Sequence, residues 1–326
     1  MDLDNLFLNA CKNGQKGVIE AFLKKGGINV NKRDAMGNTP LFYAAEKGAR
    51  DIVLILLKQD ADVNQANNNS QTPLHSVSRS GNKEIIKLLA DGGADVNATD
   101  KEGKTPLMYT LAEGKTEVTK FLLSLGADKT VKDNNGHTAL DYATANGLRD
   151  TIAVLTEGTE STKDNFGNTP IHQAAHNGQT EVLNVLVKQS IADIDALNAN
   201  GETALVIATT GNNLAVAEIL LAAGANVNLK LLNGNAPLHF AAMYDNRFIA
   251  KALLEKGAEI NAKNELGETA LIQAARGGHN DFTALLIEKS ADVNCVDLQQ
   301  KSALAYASEA GYTEIVEQLI MAGVEN

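Results

Sequence analysis

Two histidines that lie four residues apart form the most suggestive chemical pattern in this sequence. His172 and His176 stand in the stretch GNTPIHQAAHNG, residues 167–178, where they would lie one turn apart on a helix. The same spacing occurs in H-E-x-x-H, in which two histidines bind zinc and a glutamate acts as general base. Here the glutamate position is Gln173, which cannot act as a base. Three interpretations are open: a disabled hydrolase, another metal site, or a feature unrelated to metal.

The composition argues against several classes of partner. The chain has 326 residues, a net charge of -11 and no Trp. A nucleic-acid-binding protein needs a Lys/Arg-rich face, and so does a protein that docks on anionic membranes, so neither partner is expected. No apolar run approaches the roughly 18 residues that span a bilayer. The start MDLDNLFLNACKNG lacks the features of a signal peptide, which predicts a cytoplasmic protein, although a mature secreted protein would look the same.

The two cysteines do not indicate a metal site or a disulfide framework. Cys11 and Cys295 lie near opposite ends of the chain, and neither has a C-x-x-C or histidine spacing around it. Zinc needs three or four ligands, and no residues are placed by the sequence to complete a set with His172 and His176. We therefore expect reduced thiols, no metal, no cofactor and no catalytic residues.

The stretch that contains the two histidines recurs along the chain. Its Thr-Pro step or an equivalent recurs nine times, at Thr39, Thr72, Thr105, Thr138, Thr169, Thr203, Ala236, Thr269 and Ser302. The spacing is 33 residues, except for 31 before Thr169 and 34 after it. A fixed period of this length indicates a stacked repeat array.

Each repeat predicts two short helices and an extended hairpin. Thr caps the first helix, Pro fills its first turn and a glycine such as Gly48 ends it. Asn212 and Asp245 replace that glycine in two repeats, and both residue types tolerate a left-handed conformation. A second helix with apolar residues at helical spacing follows, as in EIIKLLADG, residues 84–92.

The repeats resemble the ankyrin repeat. Its T-P-L-H-x-A core stands here as TPLHSV (72–77), TPIHQA (169–174) and APLHFA (236–241). The resemblance implies an all-α solenoid with short β-hairpins, a single domain of about ten repeats over residues 1–326. The expected repeats are an N-terminal cap 1–31, full repeats 34–66, 67–99, 100–132, 133–163, 164–197, 198–230, 231–263 and 264–296, and a C-terminal cap 297–326. The shortened spacing predicts a weak point at 156–166.

The resemblance also supplies roles for the histidines. His75, His172 and His239 occupy the fourth position of T-P-L-H, where the imidazole is implied to bridge backbone groups of adjacent hairpins. His176 is implied to face the concave surface of the array. A structural role is therefore preferred to zinc binding.

The expected function is a non-enzymatic scaffold that grips a protein partner in its concave groove, as a monomer. In ankyrin-like proteins the contacts come from the hairpin tips and from the end of the first helix. The partner-binding residues carried over from this pattern are Met36, Arg79, Lys101, His137, Phe166, His176, Leu232, Met243, Tyr244, Leu266, Arg276 and Leu298. The large apolar ones concentrate after residue 164, where hot-spot anchors are expected.

Two alternatives stay open at this point. One is a repeat arm of a larger enzyme or toxin, with the catalytic residues on another segment. The other is a secreted, host-directed effector. The sequence does not name a partner, because a repeat fold alone does not specify one.

Overall fold

The protein consists of paired helices. A computed structural model describes residues 3–156, 163–189, 193–231 and 233–323, and these contain twenty helices in ten consecutive pairs. The helices are α1 Leu3–Lys12, α2 Lys16–Lys25, α3 Pro40–Glu46, α4 Arg50–Leu57, α5 Pro73–Ser80, α6 Lys83–Asp91, α7 Pro106–Ala112, α8 Thr116–Ser124, α9 Ala139–Ala145, α10 Arg149–Thr156, α11 Pro170–His176, α12 Thr180–Lys188, α13 Ala204–Thr210, α14 Leu214–Ala222, α15 Pro237–Met243, α16 Arg247–Glu255, α17 Ala270–Gly277, α18 Asn280–Glu288, α19 Ala303–Ala310 and α20 Thr313–Met321. The predicted all-helical repeat fold is confirmed.

The repeat motif begins each first helix as the sequence predicts. The hydroxyl of Thr39 accepts a hydrogen bond of 3.1 Å from the N–H of Phe42, while Pro40 stands in the first turn. The helices end at left-handed residues, including Asn212 with φ 52° and Asp245 with φ 56°. Both predicted substitutes for glycine are thus confirmed.

The core is formed by the apolar residues of these helices. The chain forms two compact units, a first unit Met1–Asn165 and a second unit Phe166–Asn326. In the first unit α3 packs on α5, and in the second unit α15 packs on α17. The Leu or Ile after the Pro/Ala step is at most 6% exposed at Leu41, Leu74, Leu107, Leu140, Ile171, Leu205, Leu238 and Leu271. Each contributes roughly 1.5–3 kcal/mol by leaving water.

Where the structure describes them, the predicted β-hairpins are tight turns instead of paired strands. In the described residues, the isolated β-bridge is the antiparallel pair Val296 and Ser302. The turns close within five residues, because the N–H of Asp34 donates to the carbonyl of Asn38 and that of Gly37 donates to the carbonyl of Asp34. So short a turn leaves no arms long enough to form strands. We call residues such as 35–37 the tip of each turn.

Neighbouring tips are joined through their backbones. In the first unit the N–H of Asn68 donates to the carbonyl of Met36 at 2.9 Å, and in the second unit the N–H of Leu298 donates to that of Leu266 at 2.9 Å. The glycine of the tip permits this approach. At Gly267, with φ 76°, an added Cβ would lie 2.9 Å from the backbone nitrogen of Leu298.

We expect Gly267→Ala to destabilise the protein more than Gly257→Ala. Both glycines have positive φ, 76° and 88°, but a Cβ on Gly257 would meet nothing within 4 Å. In the control, the free energy of unfolding should therefore fall only by the cost of a left-handed alanine, roughly 1–2 kcal/mol. Gly267→Ala should lose about 1–3 kcal/mol more, because the tips are forced apart. Urea unfolding of both variants measures the difference, and equal losses would contradict the close-approach explanation.

Part of the predicted weak point, residues 157–162, lies outside the described residues. The weak point therefore stays a prediction, which hydrogen exchange of residues 156–166 would check. In the described residues, no helix combines the length and the apolar character needed to cross a membrane.

Candidate functional site

In four repeats of the described part of the chain, an aspartate at the start of the turn accepts a hydrogen bond from the tyrosine of the following helix. One oxygen of Asp133 accepts the N–H groups of Asn135 and His137, both at 2.9 Å. Its other oxygen accepts the hydroxyl of Tyr142 at 2.8 Å. The aspartate therefore fixes the turn and also holds the tyrosine of the following helix against it.

The same arrangement recurs in both units. The other pairs are Asp34 with Tyr43, Asp100 with Tyr109 and Asp297 with Tyr306, at 2.6–2.7 Å. Burial raises the pKa of Asp133, but the hydrogen bonds from Tyr142 and from the two N–H groups outweigh it and lower the pKa overall. Burial and the bond to Asp100 raise the pKa of Tyr109 to about 12. The phenol of Tyr109 thus stays a protonated donor at neutral pH.

Basic side chains lie against these tyrosine rings. In the first unit Lys12 lies 5.0 Å from the ring centre of Tyr43, and Arg79 lies 5.1 Å from that of Tyr109. In the second unit Arg276 lies 5.7 Å from the ring centre of Tyr306. These distances fall within the range of cation–π contacts. The tips and the ends of the first helices are therefore in contact, and we call the surface that they form in each unit the inner face.

The inner face of the first unit contains a depression of about 460 Å³. Its lining residues are Lys12, Met36, Asn38, Phe42, Tyr43, Glu46, Asn67, Asn69, Gln71, His75, Ser76, Arg79, Ser80 and Tyr109. The lining combines aromatic rings, side-chain amides and two basic groups, so that it can receive a group with both an apolar face and a hydrogen-bonding end.

The inner face of the second unit instead exposes apolar side chains. Phe166, Met243, Tyr244, Leu266 and Leu298 are 41–73% exposed. Leu266 and Leu298 lie on neighbouring tips, where the N–H of Leu298 donates to the carbonyl of Leu266 at 2.9 Å. These two leucines therefore belong to one apolar patch.

The buried histidines bridge neighbouring turns. Nδ1 of His75 accepts the N–H of Thr72 at 3.1 Å, and Nε2 lies 3.1 Å from the carbonyl of Lys104 in the next turn. His172 and His239 make the equivalent contacts with Glu202 and Glu268. Both ring nitrogens of His172 are thus occupied, and the structural role is confirmed. In the described residues, no three His, Cys, Asp or Glu side chains are grouped so that they could hold a metal ion.

The repeat geometry agrees with a match to a known family. The family model for ankyrin repeats matches residues 3–67, 74–165, 154–231, 171–264 and 238–326. The chain belongs to the ankyrin repeat family. No curated protein matches it.

The predicted contact residues of this ankyrin array divide into exposed side chains and side chains that pair with neighbours within the chain. Met36, at 67%, and the five apolar residues of the second unit are exposed, as are Lys101 and His176. Leu232 lies outside the described residues.

Three predicted contacts are held by neighbours within the chain. Arg276 pairs with the buried carboxylate of Glu268. His137 lies between Asp133 at 3.5 Å and Asp164 at 3.4 Å. The side chain of Arg79 lies 4.0 Å from that of Glu113. A partner that used these three side chains would have to compete with these contacts.

The ankyrin repeats also present residues that sequence reasoning missed. The inner-face tyrosines follow their aspartates by nine residues, and this Asp-x8-Tyr spacing is visible in the sequence at all four pairs. Phe248 on α16 is 69% exposed. Its position is acidic in most other second helices, as at Asp51, Glu84, Glu117, Asp150, Glu181, Asp281 and Glu314. That break in the pattern could have identified it.

The cysteines of the array are free thiols. Cys11 is buried and Cys295 is partly buried. Burial raises the pKa of Cys11 to about 12. Burial, together with Asp292, also raises the pKa of Cys295. Both therefore stay protonated and poorly nucleophilic at neutral pH.

We expect the stability of the ankyrin array to fall as the pH drops from 7 to 5. Burial lowers the pKa of His75 and of His239, so the fold favours the neutral imidazole. The unfolded chain binds a proton near pH 6.5. The stabilising contribution is therefore present above that pH and is lost as pH falls through it, by up to about 1.4 kcal/mol per pH unit for each histidine.

Urea unfolding at pH 7, 6 and 5 measures this dependence. The double variant His75→Gln/His239→Gln should be less stable at pH 7 but should show a flatter profile. The aspartates with lowered pKa, such as Asp34, should reduce stability only near pH 4 and below, because stability from a depressed carboxyl pKa is lost as pH falls through the acidic range. An unchanged slope in the double variant would contradict the histidine assignment.

Proposed function

We propose that this chain is a non-enzymatic interaction scaffold that binds a protein partner, as a cytoplasmic monomer. The binding surface is the inner face of the second unit. The observation that carries this proposal is the set of five apolar side chains there, Phe166, Met243, Tyr244, Leu266 and Leu298, which are 41–73% exposed. Aromatic residues and Met are enriched at interfaces, and an exposed apolar patch such as that of Leu266 and Leu298 marks an interaction site.

The charge of the second unit indicates the chemistry of the bound segment. Residues 166–326 contain 18 Asp and Glu but only 9 Lys and Arg, whereas residues 1–165 contain 22 and 20. Two acidic side chains, Glu265 and Asp245, stand beside the apolar residues Leu266 and Tyr244. A segment with basic residues next to apolar anchors therefore complements this face better than an acidic segment or a nucleic acid does.

Affinity capture with the purified full-length chain tests the proposal. The surface variant Met243→Asp/Leu298→Asp should lose the captured protein, because the new carboxylates would be buried against it. The control Ile320→Asp/Met321→Asp changes two residues that are also exposed, at 59% and 89%, but lie on α20 away from the tips. A protein captured equally by both variants would show that the inner face of the second unit is not the binding surface.

A further inference from the structure

The side chains at one position of the repeat motif follow one another along the inner face of the first unit. This position follows the fourth position of T-P-L-H, and it holds Tyr43, Ser76, Tyr109 and Tyr142 in successive repeats. The three tyrosines hydrogen-bond to Asp34, Asp100 and Asp133. Ser76 is therefore a gap in a row of phenol rings.

The repeat that contains Ser76 also lacks the acceptor for a phenol. Asn67 stands where the neighbouring repeats have aspartate. Its Oδ1 still accepts the N–H groups of Asn69 and Gln71 and so keeps the turn. Its Nδ2 instead donates to the side chain of Asn38 at 2.9 Å. The two substitutions leave the tip intact and remove only the tyrosine.

A depression lies beside the missing ring, and Gln71 and Arg79 border it on the side of Tyr109. The depression of about 460 Å³ is lined by Ser76 together with the two flanking tyrosines. Repeats stack at about 10 Å, so Tyr43 and Tyr109, two repeats apart, leave about 20 Å between equivalent atoms. A ring midway would lie about 10 Å from each flanking tyrosine, beyond the 4.5–7 Å of direct ring contact, which leaves room for a side chain such as Arg79 beside it.

We call the space beside Ser76, between Tyr43 and Tyr109, the slot. Its walls carry hydrogen-bonding groups suited to a phenol. The amide of Gln71 donates to the hydroxyl of Tyr109 at 2.7 Å, and that of Asn38 donates to the hydroxyl of Tyr43 at 3.2 Å. Side-chain amides in this row thus already bind phenol oxygens on both sides of the gap.

We propose that the slot at Ser76 binds an exposed tyrosine side chain of a partner protein, which takes the place that the chain's own tyrosines take in the flanking repeats. The ring lies between Tyr43 and Tyr109, and its hydroxyl meets the side-chain amides of Asn38 and Gln71, which already bind phenol oxygens. Lys12 and Arg79, at 5.0 and 5.1 Å from the flanking ring centres, line the entrance. This site belongs to the first unit and does not depend on the surface proposed for the second.

The test uses p-cresol, the side-chain analogue of tyrosine, and the full-length chain. Two-dimensional NMR follows the side-chain amides of Asn38, Asn67 and Gln71 during titration. We expect saturable shifts with p-cresol, and at least tenfold weaker binding to Ser76→Gln. Glutamine stands at the equivalent position in two other repeats, as Gln173 and Gln273, so this variant should fold.

Ser76→Gln places a larger side chain in the slot, and we call it a filling variant. A second filling variant and a matched control complete the experiment. Asn67→Asp/Ser76→Tyr rebuilds the Asp and Tyr pair of the flanking repeats, and should keep the melting temperature while losing p-cresol binding. Ser124→Gln, at an exposed position on α8, should bind as the parent does. Shifts that persist in a folded filling variant, equal binding of toluene, or no saturable shift in the parent chain would each overturn the proposal.

Discussion

Replacement of both Tyr244 and Leu266 by alanine is expected to weaken partner binding by at least thirtyfold, about 2 kcal/mol, which is the loss typical of a hot spot. The melting temperature should stay nearly unchanged. Tyr244 is 53% exposed and Leu266 is 60% exposed, so truncating them removes little buried surface. Exposed substitutions of this kind change stability by about 0.5 kcal/mol or less. Calorimetric titration with the captured partner and thermal unfolding measure the two effects.

The matched control for this pair is Phe248→Ala/Met321→Ala. Both residues are large, apolar and more exposed than the test pair, at 69% and 89%, but they lie on the second helices α16 and α20. The control should bind as tightly as the parent chain. A test variant that loses stability as much as affinity would mean that Tyr244 and Leu266 are packing contacts between repeats.

The second large effect is expected at Asp133. Replacement by alanine removes the acceptor for two backbone N–H groups and for the hydroxyl of Tyr142. Unpaired buried donors cost about 1–3 kcal/mol each where water cannot reach them. We therefore expect Asp133→Ala to lower the free energy of unfolding by about 3–4 kcal/mol.

Two milder variants separate the contributions to this loss of stability. Asp133→Asn should cost only about 1 kcal/mol, because Asn67, Asn198 and Asn264 hold the same turn with one side-chain oxygen. Tyr142→Phe removes one hydrogen bond and should also cost about 1 kcal/mol. Urea unfolding compares the three variants. Equal losses for alanine and asparagine would show that the carboxylate does not act through the turn.

The fold could be predicted from the sequence because each repeat carries its own local signals. The Thr cap, the Pro in the first turn and the left-handed residue at the helix end act over a few residues, so a single repeat is enough to read them. Asn212 and Asp245 were predicted in the same way to replace the glycine at a helix end, and both adopt positive φ. The bridging role of His172 was predicted from the family resemblance, and the structure shows the two contacts.

The inner face was harder to predict because its contacts join residues from different parts of a repeat. The pairing of Arg276 with Glu268 crosses from a helix end to a tip, and position within the motif does not reveal it. The hydrogen bond from the amide of Gln71 to the hydroxyl of Tyr109 joins two successive repeats. The prediction of β-hairpins overestimated the strand content, because the motif specifies an extended turn but not the length of its arms. The slot at Ser76 becomes visible only when the tyrosines beside it have been placed.

Hydroxyl-radical footprinting of the chain, free and in complex with its captured partner, tests the central claim most directly. Phe166, Met243 and Tyr244 are reactive side chains on the inner face of the second unit, whereas Phe248 and Met321 are exposed reference residues on outer helices. The account predicts that oxidation of the first three falls on complex formation while that of the two references is unchanged. Protection of Phe248 and Met321 with undiminished oxidation of Met243 and Tyr244 would contradict it.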